Sequence, residues 1–202
     1  MVETRLGPTI DDRLIHIDGY SVVRQDRNTS GGGVALYMKD TINVNVLYRS
    51  DTNDKPKVPE YQACQIWQEE GPFVLVVVIY RLPKIAFKQK LLSLPSKLCP
   101  VYSHKVIMGD LNADLSSPDG AGVVRDLASE FSLKLLDYGP THKVGTSHTF
   151  IDVIRVNNDD VVLDHATGKK ANFHNAHDVI KVTIEPFITN PLPPRNLFLQ
   201  KI

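Results

Sequence analysis

Val106-Ile107-Met108-Gly109-Asp110-Leu111-Asn112-Ala113-Asp114 is an apolar run that stops at a glycine and then presents a carboxylate, an amide and a second carboxylate. The apolar residues read as a short buried strand, with Asp110 and Asn112 at i and i+2 just past it. In an extended segment two such side chains point the same way. Far downstream, His177 stands ahead of another apolar run, Val179-Ile180-Lys181-Val182-Thr183-Ile184. A carboxylate and an amide ending one strand, with a histidine opening another, suit phosphodiester cleavage with a divalent cation. The plainer reading of Gly109 to Asn112 is a turn, since Gly, Asp and Asn all favour one.

The neighbouring stretches supply a sheet for such a site. Phe73-Val74-Leu75-Val76-Val77-Val78-Ile79 shows no alternation and predicts a central strand buried on both faces. Tyr80-Arg81-Leu82-Pro83 ends it, and residues 63–67 precede it across a Glu-Glu-Gly-Pro turn. Residues 19–24 and 34–38 read as a hairpin. Its connection, Asn28-Thr29-Ser30-Gly31-Gly32-Gly33, takes positive φ freely, so a flexible tip is expected. Ile42, Val44 and Val46 alternate and extend the sheet. The polar residues 51–59, with two prolines, read as a loop. Residues 85–94 are expected to be a helix limited by Pro95. Val123, Val124, Leu127, Ala128 and Phe131 have the spacing of a helical stripe. Phe150, Asp152, Ile154 and Val156 share one face of a strand. Many strands and few helices predict an α/β protein whose antiparallel or mixed sheet core is covered by helices. Residues 1–188 form the expected single domain, and the proline-rich residues 189–202 read as a linker or tail.

Lysine plus arginine equals aspartate plus glutamate at 23 each, so the net charge is zero. That argues against a strongly basic nucleic-acid scaffold, though not against an enzyme with a local basic rim. No apolar run reaches membrane-spanning length, and the N-terminus carries no signal-peptide stretch, so no membrane role and no secretion are expected. Asn28-Thr29-Ser30 matches a glycosylation triplet and is discounted for that reason. Cys64 and Cys99 form no metal-ligand spacing.

Asp152 interrupts an apolar strand face, where a carboxylate is costly unless paired or liganded; the alternative is a wet edge strand. His177 suits a general base or a group stabilising charge on a phosphate, and a buried aspartate would hold its tautomer; a structural or surface histidine is the alternative. His174, His177 and Asp178 match no closed zinc pattern. Glu3, so close to the N-terminus, reads locally as a fraying surface residue.

Taken in order, these stretches resemble the endonuclease/exonuclease/phosphatase superfamily, and within it the endonuclease domain of non-LTR (LINE-type) retrotransposons. The resemblance is carried by Glu3-Thr4-Arg5-Leu6, His16-Ile17-Asp18-Gly19-Tyr20, Arg24, Asp26, Arg27 and Gly31-Gly32-Gly33-Val34-Ala35-Leu36-Tyr37. Tyr80-Arg81-Leu82-Pro83, Gly109 to Ala113, Pro140-Thr141-His142 and Thr149-Phe150-Ile151-Asp152 follow in family order. The resemblance implies a four-layer, DNase I-like α/β sandwich with two packed sheets. It also implies Mg²⁺ (or Mn²⁺)-dependent nicking of DNA, nuclear action, and a reverse transcriptase domain in the parent polyprotein. By the same resemblance Glu3 is the metal ligand. Asp110 orients or activates water, Asn112 sits beside it on the phosphate, and Tyr80 contacts the phosphate or the developing charge. Asp152 belongs to the positioning network with Thr141 and Thr149 nearby, and His177 stabilises the transition state.

Two departures from the family pattern set further expectations. The family has Ser-Asp-His before the last strand, where this chain has Asn175-Ala176-His177. Alanine cannot orient an imidazole, so impaired or absent activity is expected, and Asp178, on the opposite strand face, is a poor replacement. The family also begins with a strand upstream of the glutamate; its absence predicts exposed sheet edges beside the site and lowered stability. Two other readings keep the fold: a phosphatase or lipid phosphodiesterase, and a non-catalytic module.

Overall fold

The computed structural model describes residues 1–51, 59–69, 71–83, 85, 102, 104–130, 132–157, 162–168, 177–184 and 195–199. Val2 bridges to Val34, and a short 3-10 turn spans Asp12–Ile15. The chain then runs through β1 (Tyr20–Gln25), β2 (Val34–Lys39), β3 (Asn43–Arg49), β4 (Glu60–Trp67), β5 (Val74–Tyr80) and β6 (His104–Asp110). Helix α1 (Pro118–Glu130) and β7 (Lys134–Leu135) come next. They are followed by β8 (His142–Val144), β9 (Ser147–Thr149), β10 (Asp152–Val156), β11 (Val162–Gly168), β12 (Val179–Ile184) and β13 (Arg195–Leu199).

The main sheet has six strands in the order β3-β4-β5-β6-β10-β7. Every pairing in it is antiparallel except β5 with β6. β5 is buried along its whole length, as its unbroken apolar run predicts. Val74, Val76, Val78 and Tyr80 enter one core, and Leu75, Val77 and Ile79 enter the other. The first core is closed by Leu36 and Met38 of β2 and by Ile180, Val182 and Ile184 of β12. These belong to a second sheet layer made of the β1–β2 pair and the three strands β11-β12-β13. The second core is closed by Val124 of α1 and by Leu133. The molecule is therefore an α/β sandwich: a helix, a mixed sheet, and a second layer of sheet. Of the four expected layers these three lie among the described residues.

Local chemistry sets α1 where its stripe predicts it. Pro118 occupies the first helical position, and the Ser117 hydroxyl accepts a hydrogen bond from the Gly120 N–H at 3.1 Å, an N-cap. The helix expected over residues 85–94 lies outside the described residues, apart from Ile85, which is not helical. Within the stretch read as a tail, Arg195–Leu199 is a strand paired with β12. β12 is thus bonded on both sides, by β11 and β13.

The glycine run also differs from expectation. Gly31, Gly32 and Gly33 are buried, not a flexible tip. A Cβ on Gly32 would run into the Arg27 guanidinium and Glu60, and one on Gly33 would lie 2.5 Å from Thr4 Oγ1. Their φ angles of 74° and 86° are accessible to glycine at no steric cost. The carbonyls of Gly33 and Gly32 accept the N–H groups of Thr4 (3.3 Å) and Arg5 (2.9 Å), so the run forms a platform for the segment carrying Glu3.

At Met1 the α-amino group turns inward to the Ala35 carbonyl, 2.7 Å away, and burial lowers its pKa from 8.0 to about 5. An unfolded chain binds this proton below pH 8 and the folded chain only below about 5, so this group makes stability rise with pH across that window. A thermal-melting series from pH 5 to pH 8 is expected to show this rise in the chain beginning at Met1 and lose that component when Met1 is Nα-acetylated. Identical pH profiles would show that the amine is solvated.

Candidate active site

Sheet register brings distant residues into one row. Glu60 of β4 lies opposite Tyr80 of β5, Tyr80 opposite Asp110 of β6, and Asp110 opposite Asp152 of β10. Side chains alternate along a strand, so residues of like parity share a face. Tyr80 follows Val74, Val76 and Val78; Asp110 follows Val106 and Met108; Asp152 precedes Ile154 and Val156; all these apolar partners lie in the first core. The four polar residues therefore cap one end of the space between the two sheet layers. Glu60, Asp110 and Asp152 are 5%, 0% and 2% exposed, which demands partners for each carboxylate.

His177 supplies one of them. Its Nδ1 lies 2.9 Å from Asp152 Oδ2, and both side chains are nearly buried. This corrects the expectation that Ala176 leaves the imidazole without an orienting aspartate: the carboxylate comes across the sheet from β10 instead of from the preceding residue. Ala176 itself lies outside the described residues. Asp178 pairs with Lys143 at 2.6 Å, consistent with its place on the opposite face.

Thr141 and Thr149 frame this pair. The fully buried Thr141 Oγ1 accepts the Asp152 N–H at 3.1 Å, while its carbonyl accepts the Asp178 N–H at 2.6 Å. Thr141 thus ties the Asp152 and His177 segments together. Thr149 Oγ1 lies 3.1 Å from His142 Nδ1. The His142 ring packs on the His177 ring with centroids 4.5 Å apart, a contact the sequence reading had not singled out.

Asp110, Asp152 and His177 each offer a ligand atom, all within 4.8 Å of one another. Two buried carboxylates with an imidazole fit a divalent cation that accepts oxygen and nitrogen donors. Glu3 is not a member of that cluster. It sits in the adjoining region, accepting a hydrogen bond from the Tyr80 hydroxyl. Its φ is 52°, a strained value for a glutamate, held in place by the glycine platform. Burial, then the charges of Glu3 and Asp110, push the Tyr80 phenol well above its ordinary pKa, so it stays a proton donor.

Asn112 comes to the site by a different route from the one expected. The strand ends at Asp110, and Asn112 has φ 45°, so strand alternation does not align the two side chains. The link is a turn in which the Asn112 N–H donates to Asp110 Oδ1 at 2.8 Å. Asn112 Nδ2 donates to the Arg81 carbonyl at 2.7 Å, which engages one of its two amide hydrogens.

Sequence reasoning missed Glu60. It accepts the Gly33 N–H at 3.0 Å and lies 3.5 Å from Arg27 Nη1, beneath the glycine platform. Burial raises its pKa, partly offset by the Gly33 N–H and Arg27. The available signal was a carboxylate on the apolar face shared with Cys64 and Ile66, the signal that marked Asp152.

This architecture is the DNase I-like fold of endonuclease/exonuclease/phosphatase proteins. Among solved structures, the chain is similar to the endonuclease domain of TRAS1, a telomere-specific non-LTR retrotransposon, with 15% identity over 80% of this chain and 76% of that one, TM-score 0.56. It is also similar to an endonuclease/exonuclease/phosphatase family protein of Leptotrichia buccalis (17% identity, 85% and 74% covered, TM-score 0.63). A third is the Neisseria 3′ phosphatase NExo, solved bound to a product DNA hairpin (13% identity, 91% and 86% covered, TM-score 0.59). No family model and no curated protein matches the sequence. No helix among the described residues is long and apolar enough to cross a membrane.

Proposed function

We propose that this chain hydrolyses DNA phosphodiester bonds with Mg²⁺ or Mn²⁺ as cofactor, as the nicking domain of a retroelement that also carries a reverse transcriptase and acts on nuclear DNA. The observation that carries the hydrolytic reading is the His177–Asp152 pair directly beside buried Asp110. The retroelement sequence motifs and the likeness to the TRAS1 domain favour DNA nicking among the activities this fold hosts.

With Nδ1 committed to Asp152, chemistry at the phosphate falls to Nε2 of His177, where a proton meets the charge that builds on the phosphoryl oxygens. Asp110 is the base that orients the attacking water and receives its proton. The remaining amide hydrogen of Asn112 suits a phosphate oxygen and adds no repulsive charge. Tyr80, kept protonated, donates toward the same developing charge. Glu3 is the proposed metal ligand, and the Asp110 and Asp152 carboxylates are able to contribute oxygen donors. A bound divalent cation supplies Lewis-acid neutralisation of the phosphate.

Nicking of supercoiled plasmid with Mg²⁺ tests this reading, run on the chain and on Ala176→Asp in parallel. Because Asp152 already orients His177, both are expected to nick, with rates within about tenfold of each other. Two folded proteins that leave the plasmid intact would refute the endonuclease reading. Release of phosphate from a 3′-phosphorylated strand without nicking would replace it with a phosphatase.

A further inference from the structure

We infer that Arg81 is the positioning residue that sets the Asp110–Asn112 loop for catalysis, an inference that rests on the hydrolytic reading of that site. β5 and β6 are parallel and finish side by side, Tyr80 opposite Asp110. Beyond such a pair the backbone carbonyls have no ladder partners, and a buried carbonyl left unpaired is costly.

One residue takes all three carbonyls of the loop. The Arg81 N–H donates to the Asp110 carbonyl at 2.9 Å. Its Nε donates to the Leu111 carbonyl, and its Nη2 to the Asn112 carbonyl at 2.6 Å. Nη1 reaches the Ile85 carbonyl at 2.7 Å, fastening the chain that leaves β5. In return Asn112 Nδ2 donates to the Arg81 carbonyl. The loop closes on the far side where the Leu111 N–H meets the Ile151 carbonyl at 2.9 Å, next to Asp152.

A planar fork with donors at fixed angles is what this task requires, and an ammonium on a flexible stem cannot hold three separated carbonyls at once. The clamp matters because Asn112 sits at φ 45°, which asparagine tolerates but does not by itself hold, so contacts to its carbonyl fix the loop. The bonds from Arg81 to the Leu111 and Asn112 carbonyls fix the backbone that carries Asp110 and Asn112, so Arg81 acts through those two residues.

Arg81→Lys and Arg81→Ala, each also combined with Asn112→Ala, test the assignment. Backbone amide exchange should rise about tenfold or more in residues 111–113 while β5, β6 and the melting temperature stay near those of the parent chain. The kcat for plasmid nicking should fall about 100-fold with KM within a few-fold, the cost of a misplaced reacting group. Millimolar guanidinium should restore part of the Arg81→Ala loss. In the Asn112→Ala background the Arg81 changes should cost little more, since both act through one loop. Unchanged exchange in residues 111–113, or fully additive losses, would overturn the proposal; so would protection lost equally across the sheet. If the loop loosens as expected but the parent chain never nicks DNA, the clamp stands as a loop-setting device and the hydrolytic reading fails.

Discussion

Asp152→Asn is expected to lower the rate of phosphodiester cleavage by about 10³- to 10⁴-fold while leaving the protein folded, the scale set by losing an orienting aspartate from a serine-protease triad. Three separate losses combine. The Asp152 carboxylate meets His177 Nδ1 at 2.9 Å and so directs the imidazole by its other nitrogen. An asparagine can turn its NH₂ toward the ring and impose the opposite tautomer. It also removes the charge that stabilises a protonated imidazole, and it withdraws one carboxylate from the three-residue cluster that fits a cation. The backbone around position 152 does not depend on the charge: its N–H is held by Thr141 and its carbonyl by the Tyr138 hydroxyl. Single-turnover cleavage at saturating Mg²⁺, with near-ultraviolet circular dichroism as a folding control, checks the effect. A drop of less than about tenfold would remove Asp152 from the mechanism.

Gly109→Ala is expected to be the most damaging glycine-to-alanine change among the described residues. A Cβ at Gly109 would fall on the carbonyl oxygen of Ile79, in the adjacent parallel strand, far inside van der Waals contact. Neither backbone can retreat, because the next pair in register is Tyr80 opposite Asp110 and both strands are buried. We expect a loss of at least ~3 kcal/mol, the upper range for overpacking a core. For a domain of ordinary stability, about 5–15 kcal/mol, that removes much of the margin. Gly122→Ala is the control: its Cβ meets open space inside α1, and a gain of up to about 1 kcal/mol is expected from helix propensity. Urea unfolding of the two variants beside the parent would contradict this account if Gly109→Ala lay within about 1 kcal/mol of it.

Sheet architecture was largely legible because β5 carries no polar residue from Val74 to Ile79, and only burial on both faces accommodates that. Asp152 was legible as a carboxylate on an apolar face, and His177 as a histidine ahead of a strand. What escaped was tertiary. Glycine's tolerance of positive φ is the same in a loose tip and in a packed platform; Arg27 and Glu60 decide between them, and nothing local announces that they meet Gly32 and Gly33. The partner of His177 was sought next to it in the chain, at position 176, but lies 25 residues upstream across the sheet. Alternation failed at Asn112 because the strand had already ended at Asp110, leaving a turn to hold the amide.

The row from Glu60 through Tyr80 and Asp110 to Asp152 also fixes when the site comes into existence during folding. The first link zips outward from the β4–β5 turn, but those from Tyr80 to Asp110 and from Asp110 to Asp152 join residues roughly 30 to 40 positions apart, so each closes a long loop before it returns any contact. The parallel link between β5 and β6 is the most demanding, since the chain must cross over before the two strands can align. Partly folded forms that contain only the hairpins therefore hold single carboxylates in water and never the assembled set. The assembled row, on this geometry, exists only when the sheet is complete.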